Sequence, residues 1–576
     1  MANYYWTPIA QGTSGTNVGT EANPFRGFKK VSDEIAAGNI SGGDNVYRVI
    51  GSGPLAMGDR EQFTANSTAV TAAMSTALNV AGQGPMAGTS FTASSLASGI
   101  RFFMQSTMAD PAIDGRNITT NAQRMQAVLR LRGEDIEVHD LCGYAGDWNY
   151  IRDGSGNTRI AGTSSTSDAE DRSQENIGLM IVGNGNRVSR AEIDGNSKHC
   201  RAGIYMAAMV DSVAGASTNK LNIVEDCEVY GANGGISVQP QGGGWDLKSG
   251  QRTLIRRCYT HSPCWGREGA MAIAGYNALA HGNGIVLVGK YWGGGEVYDC
   301  EIEGQYQDAL VLAGGTSLVG RDNYIHDVGQ ANTYQLWQWN TTTSTWNLSA
   351  SLTNPHGNGI KAGLNTYDGT SPTTWLGTDG SLTSDSSNQL QVPEVRTLLV
   401  RNRIYRCRAF GIATNNSRGT FIHANEIDDT GNSGIVLQPG ARVGNYWVSN
   451  NFVRKNDTEP SNFALEVLAN SRVALLNNIF WSNINVSTQR DIRWNTALSV
   501  IVKDKNLLVT GRTGGTGTYP TTGDLTPTTP NWTLGDGTTT ASLIGVGSTR
   551  TPEARSYGAS RKMTGRLDNP PNLGPY

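Results

Sequence analysis

Apolar residues in this chain recur in very short bursts. From about residue 190 to residue 480 one phrase returns: Asn or Cys, any residue, an apolar residue, a polar stretch, Gly or Ala, then Ile or Leu. Its copies are Cys227-Glu-Val229…Gly235-Ile236, Cys300-Glu-Ile302…Ala309-Leu310, Asn323-Tyr-Ile325…Gly359-Ile360, Asn402-Arg-Ile404…Gly411-Ile412, Asn425-Glu-Ile427…Gly434-Ile435 and Asn451-Phe-Val453…Ala464-Leu465. Cys258-Tyr-Thr260 joins them with a divergent second half. Successive Asn/Cys positions lie 23 residues apart (300 to 323, 402 to 425) or 26 apart (425 to 451). Two or three three-residue strands per period of this length cannot bury an apolar face alone, so each turn is covered by the next. The pattern predicts an all-β solenoid of the parallel β-helix kind, with strands stacked about 4.8 Å apart.

The pattern changes at both ends. Residues 1–99 read as an N-terminal cap and insertion: a short amphipathic helix at Val31–Ala37 ended by Gly38, a strand at Asp44–Ile50, then an Ala/Ser/Thr/Gly-rich stretch with one helix near Ala69–Val80. Residues 100–510 read as the coil, opening with strands at Ile100–Phe103, Val128–Leu131, Ile136–Val138 and Gly178–Val182. Inside it, residues 331–395 hold far more than one rung and carry Tyr334, Trp337, Trp339, Trp346, Tyr367 and Trp375. A long aromatic loop on a rigid scaffold is commonly a functional arm, and a solvated flap has the same composition. Residues 511–576, rich in Thr, Gly and Pro, read as a linker and an extended closing segment.

Composition narrows the classes. The chain has 576 residues, 72 glycines and 16% charged residues. A solenoid lengthens without enlarging its core, so this length does not demand several domains. A net charge of −3 with no Lys/Arg run gives no reason to expect nucleic acid. No apolar run is long enough to span a membrane. The first residues have neither the basic nor the apolar region of a secretory signal. Either a signal was removed earlier or the protein leaves the cell by another route, such as in a virus particle. Cys227, Cys258 and Cys300 share the register that Asn323, Asn402, Asn425 and Asn451 take over. This predicts one inward ladder of packing residues rather than disulfides. Neither Cys-x-x-Cys nor His-x-x-His spacing is present, so no zinc is expected; no cofactor is expected, and calcium, though possible, has no Asp cluster to support it.

The two ends carry a resemblance. Tyr4-Tyr5-Trp6, Gly19-Thr-Glu-Ala-Asn-Pro-Phe25, Val31-Ser-Asp-Glu-Ile35 and Gly43-Asp-Asn-Val-Tyr47 resemble the start of right-handed parallel β-helix proteins of the pectate-lyase-like type. Gly565-Arg-Leu-Asp-Asn-Pro-Pro-Asn-Leu-Gly-Pro-Tyr576 resembles their closing tail. The fold hosts polysaccharide lyases, glycoside hydrolases, epimerases and phage tailspikes. A Met-Ala-x-Tyr-Tyr start resembles phage-encoded structural proteins, although no separate virion-anchoring domain precedes the coil. The resemblance implies a phage tailspike or tail-fibre protein that binds and depolymerises a bacterial surface polysaccharide. It also implies a homotrimer on a virion tail or in the extracellular space. A free secreted polysaccharide lyase and a non-catalytic fibre or decoration protein are the alternatives.

Strand alternation locates the candidate site. With the Asn/Cys residue and the apolar residue two later pointing inward, the next residue points outward. That column reads Tyr230, His261, Glu303, His326, Tyr405, Asp428, and the following one Gly231, Ser262, Gly304, Asp327, Arg406, Asp429. A hydrated face without chemistry would show the same pattern. The pentapeptide His-Gly-Asn-Gly-Ile occurs twice, at 281–285 and 356–360, and the second copy leads into Lys361. That segment resembles the lysine-bearing strand of some β-helix polysaccharide lyases, and a plain repeat turn is its other reading. For β-elimination the candidates are His356 or Lys361 as base, Arg406 or Arg408 to neutralise a uronate, and Tyr405 or His326 as acid. For hydrolysis they are Glu303 with Asp327 or Asp428. Asn358, Trp337 and Trp339 are expected to hold the glycan, with the site on the rungs from Cys300 to Asn425 under the 331–395 arm.

Overall fold

Short strands follow where the apolar-polar-apolar triplets fall, and all the long sheets they build are parallel. The structure, a computed structural model, describes residues 1–8, 18–54, 99–115, 127–145, 177–195, 202–209, 220–232, 234–241, 252–262, 271–272, 283–288, 294–305, 308–313, 317–329, 336–340, 345–349, 357–363, 396–415, 419–439, 444–455, 463–482, 488–496 and 502–520. The expected helix near Ala69–Val80 and most of the closing segment lie outside them. The chain divides into two units, residues 1–293 with 331–354 and 379–381, and residues 294–330 with 355–378 and 382–576.

Each unit is a three-sheet coil. In the first unit, the first sheet includes Asn3–Thr7, Asn45–Arg48, Arg101–Phe103, Glu137–His139, Arg187–Ser189, Leu221–Glu225 and Arg252–Arg256. The second sheet stacks Ile113–Asp114, Cys142–Tyr144, Glu192–Asp194, Glu228–Tyr230 and Tyr259–His261. In the second unit the second sheet stacks Glu301–Glu303, Tyr324–His326, Arg403–Cys407, Glu426–Thr430, Phe452–Arg454, Ile479–Trp481 and Leu507–Leu508. Its third sheet stacks Asp308–Ala313, Asn358–Gly363, Ile412–Asn415, Ile435–Gln438, Phe463–Val467, Arg490–Trp494 and Thr513–Gly514. Inward columns make the core: Ile302, Ile325, Ile404, Ile427, Val453 and Phe480 from one sheet, Leu310, Ile360, Ile412, Ile435, Leu465 and Ile492 from another, all fully buried.

The recurring Gly before Ile has a spatial cause rather than a conformational one. A Cβ on Gly359 would sit 2.6 Å from both the Gly411 carbonyl oxygen and the Ile404 side chain, and Gly411 and Gly434 are equally hemmed in by the next rung.

The Asn/Cys register is the ladder that the sequence predicts, and it runs further. Asn323, Asn402, Asn425 and Asn451 are followed by Asn478 and Asn506. Each Oδ1 accepts from the backbone N–H and the side-chain amide of the Asn before it (for Asn425, 3.0 and 2.9 Å from Asn402). Each Nδ2 from Asn323 onward also donates to a carbonyl of an earlier rung, as Asn425 does to Leu399 at 2.9 Å. The thiols of Cys227, Cys258 and Cys300 are buried and unbridged, and donate to the carbonyl two residues back at 3.1–3.3 Å.

Immediately before the ladder the backbone is left-handed at Asp140, Arg190, Asp226 and Arg257 in the first unit and at Asp322 and Arg401 in the second. These corners form a second ladder of two-pronged ion pairs: Arg190 with Asp140 (2.6 and 3.1 Å), Arg257 with Asp226 (2.6 and 2.8 Å) and Arg401 with Asp322 (both 2.7 Å). Opposite charges on successive rungs offset the strain of holding non-glycine residues at positive φ.

The N-terminal segment differs from a simple cap. Asn3–Thr7 and Asn45–Arg48 are strands of the first sheet, and the helix runs from Phe28 to Ala36, three residues earlier than expected. Trp6, Phe28 and Phe102 pack in sequence, with ring centroids 5.2 and 5.8 Å apart. Arg48 is completely buried, paired two-pronged with Asp110 (2.6 and 3.0 Å) and donating to the Gly53 carbonyl.

Candidate functional site

Once Ile302, Ile325, Ile404 and Ile427 turn inward, period-two alternation puts their neighbours outside. Glu303, His326, Tyr405 and Asp428 are in direct register on four successive strands of the second sheet, and Arg454 and Trp481 continue the column. Two residues earlier runs a parallel column, Glu301, Tyr324, Arg403 and Glu426, which ends where Phe452 is buried. The sequence identified the first column and overlooked the second, although the same alternation contains both.

These two columns interlock. His326 stands between two carboxylates, with Nδ1 2.7 Å from Asp327 and Nε2 3.2 Å from Glu301. Tyr324, 39% exposed, stacks on His326 with centroids 4.4 Å apart and meets Tyr405 edge-on at 5.9 Å. The Tyr405 hydroxyl donates to Glu426, whose other oxygen lies 3.6 Å from Arg403. Arg454 pairs with Asp428 and lies over the Trp481 ring.

The residues after this column, Gly304, Asp327, Arg406 and Asp429, all have positive φ and form a second left-handed corner. That accounts for the glycine at 304. Arg406 pairs with Asp327 through both arms, at 2.6 Å from Nη2. The Arg406 guanidinium, joined by His326, holds the Asp327 carboxyl at about 2, so it stays ionised across the physiological range. Burial, aided by Glu426, pushes the Tyr405 hydroxyl well above the ordinary tyrosine range.

The elimination set is distributed differently. Lys361 points outward as expected but lies on the third sheet, in register with Val311 and Ala413. Its neighbour is the buried carboxylate of Asp308 at 3.4 Å, not a cation such as Arg406. Asn358, expected to touch glycan, is buried: its amide donates to Asp308 (2.6 Å) and its oxygen accepts from the Phe410 N–H (3.2 Å). It is a corner clamp, because Gly357 at φ +58° turns the chain inward there. Arg408 is exposed beside Gly329 and Gly357, each too close to its Cβ to carry a side chain comfortably. Arg406, expected as a uronate clamp, is already paired with Asp327. His356 lies outside the described residues. Trp337 and Trp339 sit on the first strand of an antiparallel hairpin, Leu336–Asn340 against Thr345–Ser349, and their side chains lie outside the description.

Among the described residues no His/Cys/Asp/Glu cluster is placed to hold a metal, and no helix is long and apolar enough to cross a membrane.

Residues 352–497, about a quarter of the chain, match the family described as right handed beta helix region. With the three parallel sheets, this makes the fold a right-handed parallel β-helix. No curated protein matches the sequence. Among solved structures the chain is similar to the Azotobacter vinelandii mannuronan C-5 epimerase AlgE6 A-module, at 10% identity over 78% of this chain and 98% of that one, with a TM-score of 0.39. It is similar to a GH87 alpha-1,3-glucanase catalytic unit from Streptomyces thermodiastaticus at 12% identity, over 88% and 68% of the two chains, with a TM-score of 0.36. It is also similar to the tailspike protein of E. coli bacteriophage HK620 in complex with pentasaccharide, at 9% identity over 88% and 79%, with a TM-score of 0.32.

Proposed function

We propose that the protein binds an extended polysaccharide across the outward face of the second sheet in the second unit and cleaves it by hydrolysis. The observation that carries this reading is the register column Glu303–His326–Tyr405–Asp428 beside the exposed ring of Tyr324. Sugars need hydroxyl-binding carboxylates and amides together with a flat aromatic face, and this surface supplies carboxylates and rings on adjacent rungs. Carboxylates Glu301, Glu303, Asp327, Glu426 and Asp428 outnumber the guanidinium groups, and Arg403, Arg406 and Arg454 are each paired within the face.

That balance favours hydrolysis over β-elimination. Elimination needs a cation to neutralise the uronate carboxylate and a basic residue beside it. Here Arg406 is joined to Asp327, and Lys361 stands on another sheet. Hydrolysis needs two carboxyl groups in different protonation states. Asp327, held ionised, suits the base or nucleophile. Glu303, in register with His326 on the neighbouring rung, supplies the second carboxyl group and is assigned the acid role. The terminal resemblance to phage-encoded β-helix proteins supports a place on a virion tail as a homotrimer.

The test is to incubate purified protein with a panel of bacterial capsular and surface polysaccharides. New reducing ends without unsaturated-uronate absorbance support hydrolysis. Absorbance would return the chemistry to Lys361 and the lyase reading, and neither signal would leave a binding or fibre protein.

A further inference from the structure

The first unit repeats the central element of the second-unit face. Tyr259-Thr-His261-Ser262 and Tyr324-Ile-His326-Asp327 occupy equivalent strands of the second sheet, each opposite a glutamate of the preceding rung, Glu228 and Glu301. The geometry repeats as well. His261 Nε2 is 2.9 Å from Glu228 and its Nδ1 3.0 Å from the Ser262 hydroxyl. His326 makes the corresponding contacts to Glu301 and Asp327 at 3.2 and 2.7 Å. The Tyr–His rings stack at 4.1 Å in one copy and 4.4 Å in the other. Ser262 and Asp327 both sit at positive φ.

The differences divide the labour. The first-unit copy has Ser262 where the second has the ionised Asp327 with its Arg406 partner, and Tyr230 where it has Glu303, so it lacks both carboxyl groups of the proposed hydrolytic pair. It has more aromatic surface instead. Tyr230 also stacks on His261, at 5.2 Å, so two tyrosine rings lie nearly parallel to the imidazole, and the Tyr230 hydroxyl is fixed by Glu192 at 3.2 Å. The rings are only partly buried. They are ordered before any ligand arrives, which lowers the entropic cost of binding. Among the described residues no strand of the second sheet in this unit carries Lys or Arg, while Glu192, Asp194 and Glu228 all face outward. An anionic glycan would be repelled.

We propose that Tyr230, Tyr259 and His261, with Glu192 and Glu228, form a second, non-cleaving glycan site in the first unit that takes neutral or amino-bearing sugars. The inference rests on reading the equivalent second-unit face as a glycan surface.

The experiment uses full-length protein carrying Tyr324→Ala and Asp327→Asn, so that the second-unit face neither cleaves nor stacks. It is titrated calorimetrically with maltohexaose, chitosan hexamer and hexagalacturonate. Expected is binding of a neutral or amino probe, no binding of hexagalacturonate, and a loss of about tenfold in affinity on adding Tyr259→Ala, restored by Tyr259→Phe. Binding of hexagalacturonate as tight as the others, no binding of either non-acidic probe, or indifference to Tyr259→Ala would overturn the proposal. If the wild type cleaves nothing yet Tyr259→Ala still weakens binding, the hydrolysis reading falls and this one stands. If cleavage holds and Tyr259→Ala changes nothing, the reverse is true.

Discussion

Replacing Asn425 by Ala interrupts the asparagine ladder at its middle, and the structure gives the cost. Asn425 makes four side-chain hydrogen bonds: its Oδ1 accepts from the Asn402 N–H and amide, and its Nδ2 donates to the Leu399 carbonyl and to Asn451 Oδ1. Two of the partners keep another hydrogen bond. The Asn402 amide still reaches the Gly320 carbonyl, and Asn451 Oδ1 still accepts the Asn425 N–H. The Asn402 N–H and the Leu399 carbonyl lose the bonds described here, in a core where all three ladder residues are fully buried. A buried polar group left unmade costs about 1–3 kcal/mol, so Asn425→Ala should destabilise by about 2–6 kcal/mol. Asn506→Ala removes the matching bonds, to the Asn478 N–H and amide and to the Leu475 carbonyl, and should cost a similar amount. The assay is urea unfolding followed by both tryptophan fluorescence and far-ultraviolet dichroism, because a solenoid need not unfold in one step. A midpoint within error of wild type for both Asn425→Ala and Asn506→Ala would refute the argument that the ladder holds the coil.

Three other outcomes follow from buried or paired charges. Burial raises the Asp491 carboxyl to about 6 despite bonds from Ser482 and Thr510. Because the folded value exceeds the unfolded one, its contribution is fully present below about pH 4 and is lost as pH rises through 6. The wild-type melting temperature should therefore gain on going from pH 7.5 to 5, by an amount equivalent to about 1.4 kcal/mol, one pKa unit's worth. Asp491→Asn should lack that gain, and an identical pH profile in the variant would refute the assignment. Arg48→Met leaves Asp110 without its buried guanidinium partner and should cost about 3–5 kcal/mol, read as a lower melting temperature. Tyr405→Phe should lower turnover less than tenfold, since that hydroxyl is engaged by Glu426 rather than aimed at a glycan. A kinetic loss of the size expected for a general acid would reverse that.

Much of the frame is legible in the residues because a coil imposes its spacing on them. Asn323, Asn402 and Asn425 could be read as a ladder, since a buried turn must satisfy its polar groups and Asn carries both donor and acceptor. The column Glu303, His326, Tyr405 and Asp428 could be read because period two fixes which residues point outward once Ile302 and Ile325 point inward. Pairing was not legible. Alternation marks Arg406 and Asp327 as polar without saying that a left-handed corner turns them toward one another. It marks Asn358 as polar although a corner buries it. Lys361 reads as outward, correctly, but the number of residues between Asn323 and Asn402 hides which sheet carries it. Arg48 and Asp491 are charged residues on strands whose partners, Asp110 and the Ser482–Thr510 pair, lie elsewhere in the sequence. The signal that would have found the left-handed corners is present: Gly231 and Gly304 share their register with Ser262, Asp327, Arg406 and Asp429.

The most direct test of the hydrolysis reading is turnover of a cleavable surface polysaccharide by Glu303→Gln and Asp327→Asn, with reducing ends as the readout and the melting temperature of each variant as the control for folding. Each substitution should lower turnover by about 10²–10⁴-fold, while Lys361→Ala stays within tenfold of wild type. Full activity in the Glu303→Gln/Asp327→Asn double variant, or its loss in Lys361→Ala alone, would contradict the account.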